Sequence, residues 1–144
     1  MSSDLIRQIL IDYKTIAVVG ISKDSKRDSY QVSKYLKEVG YRMIPVNPTI
    51  DTVLGEKSYS SLLNIPVEIQ KEIDIVDIFR RTEFIPPIVE QAVELRKKYG
   101  RPYVIWMQLG ITNDKAAEVA KEAGLTVIMD KCIMQEHRLL LKKQ

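Results

Sequence analysis

The sequence predicts an α/β fold: a Rossmann-like, doubly wound parallel five-stranded sheet with helices on both faces. Three observations lead there. Apolar spacing alternates five times between short runs and helical stripes. The first run, Ile16-Ala17-Val18-Val19, is continuous, as in strands buried on both faces of a parallel sheet. The connections are short, and no linker, repeat or low-complexity segment interrupts the 144 residues. Strands alternating with helices indicate a parallel sheet, and right-handed crossovers then leave the doubly wound topology as the economical one.

Each element has its own signal. Residues 4–14 place Leu5, Ile6, Ile9, Leu10 and Tyr13 at helical spacing, with Ser3 as the expected cap. Gly20 closes the first strand. Val32, Tyr35, Leu36 and Val39 form one helical stripe over residues 29–39, and Gly40 stops it. Met43-Ile44-Pro45-Val46 is the second strand. Pro45 lacks a ladder donor and is expected at the strand's end. Tyr59 to Leu63 reads as a short helix, and residues 73–79 as the third strand. Pro86 and Pro87 suit the first turn of a helix whose Ile88, Ala92, Leu95 and Tyr99 face the core, with Gly100 ending it. Residues 103–107 are the fourth strand. Ala116, Ala120 and Ala123 line a helix ending at Gly124, Thr126 to Met129 is the fifth strand, and a final helix follows.

Composition narrows the function classes. The net charge is +3, with 45% apolar and 28% charged residues. That mix buries a core and rules out a disordered chain. The length suits one domain over residues 1–144. So mild a positive surplus, with few aromatics among the basic residues, argues against nucleic acid. No apolar run approaches the ~20 residues of a membrane span. Met1-Ser2-Ser3-Asp4-Leu5 lacks the order of a signal peptide, so a cytoplasmic protein is expected. One cysteine and one histidine give neither an internal disulfide nor a defined metal set.

Ligands of such sheets bind beyond the carboxyl ends of the strands. The first strand delivers residues 20–29 there. Gly20 permits a tight turn. The hydroxyls of Ser22, Ser25 and Ser29 can donate to phosphate, and Arg27 offers a planar fork. The helix starting near Ser29 aims its amino end at the same spot. A plain capping loop is the alternative, since Ser and Asp cap helices commonly. The loop is not the dinucleotide fingerprint, which would need glycines at Ser22 and Ser25. The second strand ends in Asn47-Pro48 rather than in the acid that holds a ribose, and no G-x-x-x-x-G-K-[ST] loop is present.

Val19, Gly20, Ser22, Arg27 and Ser29 fit a V-G-x-S-x-x-x-x-R-x-S pattern. Tyr35-Leu36, Gly40-Tyr41, Pro45-Val46-Asn47-Pro48, Gly55 and Tyr59 follow in order. Asp74-Ile75-Val76-Asp77, Phe79-Arg80-Arg81, Trp106 to Gly110, and Asp130, Cys132, Glu136 and His137 complete the series. Over residues 4–141 the chain resembles the small CoA-binding domain family, whose fold is shared with the CoA-binding amino-terminal domain of succinyl-CoA synthetase. The resemblance implies coenzyme A as the ligand, free or as a short acyl-CoA. The phosphates would lie in the first loop, on Gly20, Ile21, Ser22, Lys23, Arg27 and Ser29. Val46, Asn47 and Pro48 would contact the nucleotide. Phe79, Arg80, Arg81, Gln108 and Gly110 would flank the ligand farther along. The synthetase's further domains and phosphorylated histidine have no counterpart here, so its ligase activity is not carried over.

Charge fits that implication, since Lys23, Lys26, Arg27, Arg80 and Arg81 all stand at strand ends. Asp74 and Asp77 are expected to cap or pair with basic neighbours. His137 lies between Ile133 and Leu141 in an apolar stripe and is expected to be packed. Cys132, after the fifth strand, is a candidate reactive thiol that could form a mixed disulfide with CoA. Binding without turnover is the leading reading. An enzyme acting on acyl-CoA, or on CoA redox state through Cys132, is the alternative. An interaction subunit, with a protein partner or a second copy, is a third.

Overall fold

The computed structural model describes residues 2–141, so Met1 and residues 142–144 of the expected domain lie outside the described residues. The sheet's strands are β1 (Thr15–Val19), β2 (Arg42–Val46), β5 (Ile75–Ile78), β6 (Val104–Met107) and β7 (Thr126–Ile128). All pair in parallel, in the order β2-β1-β5-β6-β7. The chain leaves β1 for β2 on one side and returns to β5 on the other. The β1/β5 boundary is therefore the switch point, where a doubly wound sheet opens a crevice at its carboxyl edge.

Each strand sends alternate residues into two cores. Ile16 and Val18 meet α1 (Ser3–Asp12), α2 (Asp28–Glu38) and α6 (Ile133–Leu140) on one face. Ala17 and Val19 meet α4 (Ile85–Tyr99) and α5 (Asp114–Glu122) on the other. Both faces of the strands are thus apolar, as the continuous runs predict. Each fully buried aliphatic side chain contributes about 1.5–3 kcal/mol, so the two layers clamp the sheet. Gly100 ends α4 at φ 77°, the left-handed cap expected of it.

Several expectations need correction. Ser2, not Ser3, caps α1: its Oγ accepts the Leu5 N–H at 3.2 Å. Pro45 lies inside β2 rather than at its end, paired with Val18. The strand is at the sheet's edge, and Pro45's carbonyl accepts the Tyr59 N–H at 3.1 Å on the outer side. Its missing N–H would point the same way, so no bond to β1 is lost. Tyr59 is no helical residue. It bridges to Val46 after a small hairpin of β3 (Thr52–Val53) and β4 (Glu56–Lys57). A 3-10 turn at Leu62–Asn64 and the four-residue α3 (Val67–Gln70) follow. In α4, Ile88 and Tyr99 pack half-buried against the core as expected, and Ile85 and Val89 join Ala92 and Leu95 inside it.

The two aspartates of β5 and its approach diverge. Asp74 behaves as expected: its Oδ2 accepts the N–H groups of Lys14 and Thr15, and Arg101 lies 3.5 Å from Oδ1. Asp77 neither caps nor pairs. It is fully buried between Val18 and Trp106, and both oxygens lack a partner among the described residues. Burial, which disfavours the charged form, pushes its carboxyl pKa well above the usual carboxylate range.

Candidate functional site

The loop after β1 folds on itself through its own polar groups. Ser29 Oγ accepts the Ser22 N–H at 2.9 Å, and Ser22 Oγ accepts the Asp24 N–H at 3.0 Å. Asp24 Oδ1 takes the Lys26 N–H. Each serine hydroxyl has accepted one bond and keeps its proton to donate. Arg27 is the N-cap of α2, and its side chain makes no capping bond. The N–H groups of Asp28, Ser29 and Tyr30 have no partner among the described residues. Those orphan donors and the positive end of α2 face the loop's hollow.

Gly20 is required here for two reasons. Its φ is +90°, and an added Cβ would sit 2.5 Å from the Phe79 carbonyl oxygen and 2.8 Å from Arg80 Cδ. The loop after β1 and the end of β5 therefore touch backbone to backbone. On the other side Asn47 braces the loop after β2. Its Nδ2 donates to the Ile21 carbonyl at 2.8 Å, and its Oδ1 accepts both the N–H and the hydroxyl of Thr49.

These segments enclose a cavity of about 1020 Å³ at the switch point. Its lining includes Gly20, Ile21, Ser22, Lys23, Arg27 and Ser29 from the first loop. Val46, Asn47 and Pro48 come from the second, and Phe79 and Arg80 from the end of β5. Eleven of the fourteen sequence-nominated binding residues thus come together. Lys23, Arg27 and Arg80 form no ion pair and no side-chain hydrogen bond among the described residues. Arg80 instead lays its guanidinium over the Phe84 ring, 4.3 Å from the centroid. Asp28 is the acidic residue in this lining.

The remaining three nominated residues go elsewhere. Arg81 and Gly110 line a second cavity of about 580 Å³, which shares Phe79 and Arg80 with the first. Gln108 lines neither: it is buried, and its Oε1 accepts the Ile133 N–H at the start of α6. Cys132 is buried in the α1/α2/α6 layer and also lines neither cavity. His137 is packed, as its stripe predicts, with Nδ1 2.6 Å from the Tyr35 hydroxyl.

Sequence reasoning missed one wall of the larger cavity. Ser60, Ser61 and Leu62 reach it because the hairpin turns the chain back along β2. Phe84, Pro87, Ile88 and Gln91 reach it from the start of α4. The double proline that marks the helix start also marks where that helix meets the cavity, and this was the available signal.

The switch-point cavity is thus lined by Lys23, Arg27 and Arg80 and by the amino end of α2, groups of the kind that can hold an anion. The sequence profile of the CoA binding domain family matches residues 14–138, and the chain belongs to that family. It is 46% identical over 132 residues to the uncharacterized protein YneT of Bacillus subtilis, covering 92% of this chain and 91% of that one. A solved structure of a hypothetical protein from Pyrococcus horikoshii superposes with a TM-score of 0.89 at 40% identity, covering 98% and 93% of the two chains. The alpha subunit of ADP-forming acetate–CoA ligase II from Pyrococcus furiosus is 29% identical over 86% of this chain, which spans only 28% of that subunit. Among the described residues no helix is long and apolar enough to cross a membrane.

Proposed function

We propose that the chain binds coenzyme A, or a short acyl-CoA, in the switch-point cavity and releases it unchanged. The carrying observation is the set of three cations, Lys23, Arg27 and Arg80, that have no acidic partner among the described residues and share one cavity with the amino end of α2. CoA presents a diphosphate and a 3′-phosphate, and charge-assisted hydrogen bonds to such groups are strong. In this reading the diphosphate lies on the loop from Gly20 to Ser29. The nucleotide lies beside Val46, Asn47 and Pro48. The pantetheine arm runs over Phe79 and the apolar wall of Leu62, Phe84 and Ile88.

Binding without turnover fits the placement of His137 and Cys132. A general base must come within hydrogen-bond reach of the proton it removes. His137 and Cys132 line neither cavity, and His137 is engaged with Tyr35. The same placement counts against a mixed disulfide between Cys132 and CoA.

Calorimetric titration with CoA, dephospho-CoA and NAD tests the reading. CoA is expected to bind most tightly and to be recovered intact. Tighter binding of NAD than of CoA would overturn it. Equal affinity for CoA and dephospho-CoA would remove the 3′-phosphate from the argument.

A further inference from the structure

The second cavity lies one strand farther along the sheet, between the loops that follow β5 and β6. It meets the first at Phe79 and Arg80. Two strand spacings, about 10 Å, separate β1 from β6, and a pantetheine arm is long enough to cross them. With its diphosphate on the β1 loop, a CoA is therefore long enough to bring its sulfur end to this second hollow. The hollow is a built feature. Thr82 Oγ1 donates to the Thr112 carbonyl at 2.6 Å, and Asn113 Nδ2 donates to the Thr82 carbonyl at 2.9 Å, so its two loops are tied together.

At about 580 Å³ the cavity exceeds what a bare thiol fills. Its charged lining is two arginines, Arg80 and Arg81, against one acid, Glu83. Glu83 reaches Arg81 only at 4.0 Å, with both side chains largely exposed, which leaves the arginine weakly held. Both guanidinium groups lie over the Phe84 ring, Arg81 at 5.4 Å from its centroid. We propose that this cavity receives the acyl group of a short acyl-CoA and favours acyl groups ending in a carboxylate, with Arg81 as the selecting residue. The proposal rests on the CoA reading above, since the thioester is placed by its nucleotide end.

The test is titration with CoA, propionyl-CoA and malonyl-CoA, the last two differing by the terminal carboxylate. Malonyl-CoA is expected to bind the wild-type protein about 2- to 5-fold more tightly than propionyl-CoA. In Arg81→Gln that ratio falls to about one. Equal binding of the two thioesters by the wild type overturns the selectivity, and a ratio that survives in Arg81→Gln overturns the assignment to Arg81. If CoA itself fails to bind, the parent reading falls and this one with it, an outcome distinct from equal binding of the thioesters.

Discussion

At the carboxyl ends of the strands Lys23, Arg27 and Arg80 stand without acidic partners among the described residues, whereas at the amino ends the cations are occupied. There Arg42 bonds Glu72 at 2.9 Å, and Arg101 approaches Asp74 while also donating to the Lys71 carbonyl and the Tyr103 hydroxyl. Tyr103 in turn stacks on Tyr13 with ring centroids 4.6 Å apart. Both ends carry positive charge on one sheet. The amino end uses it to fasten loops, and the carboxyl end leaves it available to an anion.

That contrast can be broken most severely at Gly20. Gly20→Ala forces a side chain into a left-handed conformation against the Phe79 carbonyl. It should abolish detectable CoA binding and cost about 2–4 kcal/mol of stability, read by urea unfolding. Arg27→Ala should weaken CoA roughly 10- to 150-fold, the loss of one charged hydrogen bond, with the melting temperature held. A sharp fall in melting temperature with affinity intact would make Arg27 a structural residue.

The opposite end should respond in the opposite sense. Asp74→Ala strands the N–H groups of Lys14 and Thr15 and should cost about 1–3 kcal/mol in unfolding while leaving CoA affinity within a factor of two. A large affinity loss there would erase the division of labour between the two ends. The smallest effect on binding is expected at Asp77, whose role is confined to the core. Its folded pKa is raised, so the native state holds a proton that the unfolded chain releases above about pH 4. Stability from this group is therefore complete below that pH and falls as pH rises toward the folded value. Asp77→Asn should flatten the slope, with its stability relative to wild type improving from pH 4 to pH 8 in thermal melts.

The strands and the two-layer core were legible because a parallel sheet leaves a strong imprint: Ile16 to Val19 is apolar at every position since both faces are covered. The hairpin of β3 and β4 left no such imprint. Its strands are two residues each, its turn residues Leu54 and Gly55 take positive φ, and Lys37 from α2 holds it through the Leu54 carbonyl and Glu56. A turn stabilised by a residue seventeen positions away cannot be read from local pattern. The site follows the same division. The loop from Gly20 to Ser29 announces itself by residue type, because small, hydroxyl and guanidinium groups stand together there and the structure brings them to one cavity. Gln108 misleads for the same reason: a polar residue at a strand end looks available until its carbonyl is found holding the first turn of α6. Asp77 is the converse case, since nothing in a strand sequence says that a carboxyl will be buried without a partner among the described residues.

Pro45 has a consequence for how these molecules meet one another in a crowded solution. An exposed outer strand is a template on which a neighbouring chain can extend a sheet, the first step toward aggregates. β2 is the outer strand here, but along its outer side Pro45 offers no donor, its carbonyl is taken by Tyr59, and the Asn47 N–H is spent on the Tyr59 carbonyl. A residue awkward for strand formation thus serves as a stop, closing this border of the sheet to strand addition next to the cavity.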